Sequence, residues 1–260
     1  MAGLELGGPK RTAVVVIDGF LLERKGFIEK AIVLEEDKAQ SADESLLTLL
    51  NQASLQRLGI DAPLSFPPCV NCQIAPCPGV KKCEQAPVRW MAEKRSSLPN
   101  PYHLRPLDIL MREEWQKKTS FLFDESFGAN RAPRAVRAAY LLRHLKMPAI
   151  EVLPRLALAT VASWYGIDSR EIRLCRDVER GVVQRLSILE KLGSSKWKNA
   201  PSLFLYEEDI VLFSESLLLF DSLWCAWMAF FAELNLLEKA PWDPSWGWVA
   251  KPVEVKELRK

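Results

Sequence analysis

Thr12-Ala13-Val14-Val15-Val16-Ile17 is an unbroken apolar and β-branched run that stops abruptly at Asp18-Gly19. A run without polar alternation predicts a strand covered on both faces, as in a sheet with helices packed above and below it. Asp18 would then stand at the C-terminal end of that strand. Phe27 to Leu34 predicts a second strand returning beside the first, with Gly26 in the turn between them.

The segments that follow keep an α/β order. Ser41 and Glu44 have the spacing of a capping box, and Leu46, Leu47, Leu50 and Ala53 recur at helical intervals after it. This helix leads to a short strand ending at Asp61. A helical crossover would make that strand parallel to the first and bring Asp18 and Asp61 to one edge of the sheet. Further helices are expected at Leu107–Lys117, Pro133–Lys146, Leu156–Tyr165, Asp177–Leu192 and about Ser214–Leu237, with a strand at Pro148–Leu153. The expected architecture is a single α/β domain over residues 1–260, with 62–106 as an insertion rich in proline and cysteine.

Composition is that of an ordinary globular chain, with 35 basic against 33 acidic residues, so net charge alone gives no nucleic-acid footprint. The N-terminal MAGLELGGPKRT lacks the apolar core of a signal peptide, which predicts a cytoplasmic protein. Leu217 to Ala232 is shorter than the roughly 20 apolar residues of a membrane helix and contains Asp221, so no membrane association is expected. With only His103 and His144 as histidines, and no phosphate-binding glycine loop, serine- or cysteine-triad chemistry and that type of nucleotide hydrolysis are disfavoured.

An aspartate inside Leu217-Leu-Leu-Phe-Asp-Ser-Leu-Trp-Cys-Ala-Trp-Met-Ala-Phe-Phe231 is costly, because an isolated buried carboxylate needs a cation or a donor. Asp221 is therefore either a metal ligand or a structural partner of an arginine. Two strand-end aspartates and one on a late helix are the oxygen donors that magnesium or manganese prefers, although a strand-end aspartate taken singly is more often a turn residue. Paired ions on such carboxylates can orient water for phosphodiester hydrolysis.

Several segments together resemble a known family. VVVIDG at 14–19, GIDAPLS at 59–65, Tyr-x-x-Arg-Pro-x-Asp at 102–108, EVLP at 151–154 and FDSLWCAWMAF at 220–230 look like the predicted-nuclease family of domain of unknown function 429. The resemblance runs from about residue 12 to about residue 235, and IDAPLS is its distinctive block. It implies an RNase H-like fold, a mixed sheet flanked by helices, in which Asp18, Asp61 and Asp221 form an acidic triad holding Mg2+ or Mn2+. Glu151 becomes a candidate fourth acid, pointing away from Ile150 and Val152 into solvent or the site. Arg105, inside the 102–108 segment, becomes a candidate substrate-contacting cation. Related resolvase-like helices often carry a second acid one turn before the helix aspartate; here that position is Leu218, and Glu215 is only a loose substitute. The implied function is metal-dependent hydrolysis of nucleic acid, and the rival is a non-catalytic binding or scaffold protein on the same fold.

Cys69, Cys72, Cys77 and Cys83 supply four thiols with gaps short enough for one ion. Zinc suits four thiolates, with an iron-sulfur cluster as the alternative. Such a staple would hold the 62–106 segment, which otherwise is a long loop with nothing to order it. Arg131, Arg134 and Arg137 recur every third residue on one helix and could follow substrate phosphates, although such a row is more often a solvated face. Trp242, Trp246 and Trp248 either stack on unpaired bases or cap an apolar surface.

Overall fold

The computed structural model describes residues 1–8, 10–36, 40–94, 100–116, 125–128, 131–177, 179–195, 197 and 199–253. Two compact units are present. The first comprises Met1–Asp61, Tyr140–Glu238 and Ala250–Lys260; the second comprises Ala62–Ala139 and Lys239–Val249. The expected insertion at 62–106 is thus part of a larger unit that also takes in a late segment of the chain.

The first unit is α/β, built on a six-stranded mixed sheet flanked by helices. Its strands are β1 (Ala2–Glu5), β2 (Arg11–Phe20), β3 (Lys25–Glu35), β4 (Leu58–Ile60), β5 (Ala149–Glu151) and β6 (Ser202–Phe204), in the order β5-β4-β1-β2-β3-β6. Strand β1 pairs antiparallel with β2 and parallel with β4, while β4 pairs parallel with β5. Strand β3 returns antiparallel to β2, as its apolar pattern predicts, and pairs parallel with β6 over Lys25–Phe27.

Strand β1 is one of the elements that the sequence reading lacks. Four residues with a glycine and a glutamate among them carry no strand pattern, yet all four are buried. Its presence changes the geometry, because β4 runs parallel to β1 and therefore opposite to β2. The first helix, α1 (Ala42–Gln52), has the expected capping box: Ser41 Oγ accepts from Glu44 N at 3.2 Å, and Glu44 Oε2 accepts from Ser41 N at 3.0 Å.

In the second unit lie α2 (Ala86–Lys94) and α3 (Pro106–Leu110), the latter continuing as a π-helical turn to Trp115. Lys117, the expected end of that helix, lies outside the described residues. Helix α4 (Arg131–Leu142) leads back to the first unit, whose remaining helices are α5 (Pro154–Tyr165), α6 (Ser169–Leu174), α7 (Gly181–Leu192), α8 (Glu207–Glu215) and α9 (Leu217–Glu233).

Helix α9 is the centre of the core, with every residue from Leu219 to Phe231 buried. It lies directly on the sheet because the sheet carries glycines beneath it. A Cβ on Gly3 would fall 2.1 Å from Ala226 N, and one on Gly59 would fall 2.1 Å from Cys225 O. Ser222 Oγ adds a bond to Gly3 O at 2.8 Å. Ala13, Val15, Ile17 and Val152 face this helix. The expected helix from Ser214 is broken: Ser216 caps α9, its side chain accepting from Leu219 N, and α8 meets α9 at 115°. Among the described residues no single helix is long and apolar enough to cross a membrane.

Candidate acidic site at the ends of β1 and β4

Leu4 pairs with Ile60, and Asp61 N donates to Leu4 O at 3.0 Å. Glu5 and Asp61 are therefore neighbours at the C-terminal ends of two parallel strands. Side chains alternate along a strand, so Glu5 shares a face with Gly3, and Asp61 shares a face with Gly59. That is the face on which α9 rests. Asp221 lies one turn before Cys225, the residue whose carbonyl meets Gly59, and so approaches the same end of the sheet.

The three acids are all buried, with Glu5 and Asp221 3% exposed and Asp61 9% exposed. Their charges act together on the Cys225 thiol: burial pushes its pKa well up, and the carboxylates of Asp61, Glu5 and Asp221 push it further. Cys225 is in consequence a neutral thiol packed among the acids. A cation, Arg176, enters the group. Arg176 Nη1 and Nη2 donate to Asp221 Oδ1 and Oδ2 at 2.6 and 2.7 Å. Burial opposes the charge of Arg176, but Asp221 and then Asp61 outweigh it, and its pKa stands above the ordinary value.

Asp18 does not join them. It continues β2 beyond Val16, which pairs with Ala2, whereas Glu5 pairs with Ala13. Five residues of strand separate the levels of Ala13 and Asp18, about 17 Å at the usual rise. Ile17 and Gly19 face α9, so Asp18 faces the opposite side, where it is exposed and accepts from Gly19 N at 2.7 Å. The expectation of one shared edge fails because β2 and β4 run in opposite directions.

Glu151 also belongs elsewhere. Ile150 and Val152 pack with the α9 core, which turns Glu151 toward the other face, and at 3% exposure it does not reach solvent. Leu218, at the position where an additional acid is expected, is half-buried with Cδ2 near the space above Gly7, and Glu215 ends α8 as an exposed residue. Glu5 is the acid that the sequence reading misses. Its signal is weak: the alternation Leu4-Glu5-Leu6 beside a glycine.

In the second unit, Arg105 is fully buried and not placed to touch a substrate. Its guanidinium donates to Ser65 Oγ at 3.0 Å, to Asp108 Oδ1 at 3.3 Å and to Ser126 Oγ, and Ser126 Oγ in turn donates to Asp108 Oδ1. The IDAPLS and 102–108 segments therefore meet in a structural network. Arg131 and Arg134 are half-buried on α4. Trp90, Trp242, Trp246, Trp248 and Trp115 form a continuous chain of ring contacts with centroids 5.0 to 6.4 Å apart, so the tryptophans of the late segment pack on one another.

All six cysteines are free thiols. Cys69 lies near Cys72, Cys83 and Cys77: burial raises its pKa first, and the charges of those three add to it. Cys72 Sγ accepts from Gln85 Nε2 at 3.2 Å and from Ile74 N at 3.5 Å. Among the described residues no three His, Cys, Asp or Glu side chains converge closely enough to hold a metal ion, which applies to the cysteines and to the acids alike. For the cysteines, one member, Cys77, is exposed while the sulfur of Cys72 is engaged by amides. For the acids, Arg176 holds both oxygens of Asp221.

No family model, no curated protein and no solved structure matches the chain.

Proposed function

We propose that this protein is an RNase H-like phosphodiesterase that acts on nucleic acid with Mg2+ or Mn2+, and that its acidic residues are Glu5, Asp61 and Asp221. The observation that carries this reading is the adjacency of Glu5 and Asp61 at the ends of neighbouring parallel strands, on the face where α9 carries Asp221. The strand order, with a three-stranded antiparallel meander extended by parallel β4 and β5, is consistent with it.

All three side chains offer carboxylate oxygen, the donor type a hard divalent cation prefers, and they would have to draw closer together to share one. When bound, such an ion supplies Lewis-acid stabilisation to a reacting phosphate and makes water easier to ionise. Glu5 and Asp61 would hold it from the sheet, and Asp221 from the helix once Arg176 moves aside. Arg131 and Arg134 would contact substrate phosphates; buried Arg105 would not.

A second reading, a non-catalytic RNase H-like binding or scaffold protein, is favoured by one observation. Asp221 already has a cation in Arg176, and Leu218 removes the extra acid. Incubating the protein in manganese with single-stranded, double-stranded and branched DNA and RNA separates the two. Wild type and Asp18→Asn are expected to cleave, and Glu5→Gln and Asp61→Asn are not. Absence of cleavage by wild type, or equal cleavage by Asp61→Asn, leaves the binding reading in its place.

The cysteine cluster is read as a structural site for zinc, with an iron-sulfur cluster as the alternative. What supports it is the proximity of Cys69 to Cys72, Cys83 and Cys77. Metal analysis with a visible spectrum tests it: one equivalent of zinc in a colourless protein is expected, and metal-free protein with four titratable thiols overturns it.

A further inference from the structure

Tyr140 and His144 stand one turn apart at the end of α4, and both are exposed, Tyr140 by 48%. Their rings pack on one another with centroids 4.9 Å apart. The helical path runs on past Leu142: Arg143 N donates to Tyr140 O at 3.1 Å, and His144 N donates to Leu141 O at 2.9 Å. Leu141 and Leu145 are buried and anchor this stretch, which leaves Tyr140, Arg143, His144 and Lys146 on the outside. All four belong to the first unit.

The charge along this part of the chain has one sign. Between Glu125 and Glu151 the sequence holds four arginines, one lysine and no acidic residue. Like charges gathered in this way repel one another, and an anion laid across them relieves the repulsion. The turn then enters β5, where Pro148 O accepts from Leu58 N at 3.0 Å beside the start of β4. Glu5 and Asp61 lie at the other ends of β1 and β4, so the three residues Leu58–Ile60, about 10 Å of strand, separate them from the turn. The basic turn and the acids are distinct features.

We propose that Tyr140, Arg143, His144 and Lys146 form a binding site for single-stranded nucleic acid, in which an unpaired base lies on the Tyr140 ring while Arg143 and Lys146 hold the phosphates beside it. This rests on the reading above that the substrate is nucleic acid, and it adds that the strand is single. A plain anion would use only the cations, and an apolar partner only the ring. A nucleotide offers both a flat face and a negative charge. Bases in a duplex are stacked on their neighbours, so only an unpaired base can turn onto the ring. His144, packed against Tyr140, restrains that ring before the strand arrives, which lowers the ordering cost of stacking. No metal ion takes part in this binding.

The test measures fluorescence anisotropy of a short labelled oligothymidine in EDTA, which keeps cleavage out of the measurement. Its duplex with oligoadenine and an abasic strand of the same length are compared with it. Wild type is expected to bind the single strand more tightly than either. Tyr140→Ala is expected to lose about tenfold in affinity for oligothymidine and nothing for the abasic strand, while Tyr140→Phe keeps wild-type affinity because the ring makes the contact. The double variant Arg143→Gln, Lys146→Gln is expected to weaken both strands. Its slope of log affinity against log salt should be shallower by about 1.4, at about 0.7 for each phosphate contact. Circular dichroism reports whether each variant folds. Should Tyr140→Ala not fold, the salt slope of the double variant carries the test. Equal binding by wild type and the folded variants, or wild-type binding of duplex or abasic strand as tight as of oligothymidine, overturns the site and leaves the nuclease reading standing. Absence of binding by wild type overturns the site as well, and the cleavage assay above then decides the nuclease reading on its own.

Discussion

Gly3 and Gly59 are paired across β1 and β4, and between them they let the backbone of α9 rest on the sheet. The close approach fixes the height of the helix above the strand ends, and hence where Asp221 stands relative to Glu5 and Asp61. A side chain at either glycine meets helix backbone first.

Gly3→Ala and Gly59→Ala are each expected to destabilise the protein by about 2–4 kcal/mol, since relief requires moving a fully buried helix. Urea denaturation followed by tryptophan fluorescence measures this. Gly8→Ala, where a Cβ meets nothing within 4 Å, is the control and is expected to change stability by less than about 0.5 kcal/mol.

Asp18 and Asp221 are expected to differ sharply when neutralised. Asp221→Asn strips a half-buried arginine fork of its buried charge partner and is expected to cost about 3 kcal/mol of stability. Asp18→Asn alters an exposed side chain bonded to its neighbour's amide and is expected to cost less than about 0.5 kcal/mol. Equal losses would contradict the placement of the two residues on opposite faces.

Arg105 is expected to behave as a structural residue of the second unit. Arg105→Ala would leave Asp108 as a buried carboxylate without the guanidinium, at a cost of about 3–5 kcal/mol. Arg105→Lys is not expected to restore stability, because a single ammonium cannot span Ser65, Asp108 and Ser126. Chemical denaturation of both variants checks this.

Alkaline pH should weaken the fold through Cys175. Burial raises its pKa from 9.0 to about 11, with Arg176 the largest opposing charge. An acid whose folded pKa is raised contributes no pH dependence while both states are protonated. Above pH 9 the unfolded thiol ionises first, so stability falls from there until the folded thiol also ionises near pH 11. Two units correspond to about 2.7 kcal/mol, and Cys175→Ala is expected to remove a loss of about that size from the pH 9 to 11 limb. Urea midpoints measured across that range decide it.

Long, strongly patterned elements were legible in the sequence, and short ones made by distant contacts were not. Strand β2 is dictated by its own β-branched run, and α1 by Ser41 and Glu44. Strand β1 exists because residues more than 200 positions later require glycine at its second position, and no local pattern records such a requirement. Missing it placed Asp18 at the edge occupied by Asp61, where the structure has Glu5, and reversed the sense of the strand beside Asp61. For Glu151 the alternation with Ile150 and Val152 was readable, but which face α9 would occupy was not. The need of Asp221 for a cation was legible from burial alone; the identity of Arg176 was not, because the turn after α6 has no sequence pattern that points toward α9.

Pairing between β3 and β6 stops at Phe27, while β3 continues to Glu35. The margin beyond that point carries Glu29, Lys30 and Glu35, which are exposed. A strand from another molecule that tried to extend the sheet there would have to bring matching charges in register. Mixed charge along this border is of the kind that discourages edge-to-edge growth of a sheet, over the part of β3 that β6 does not pair.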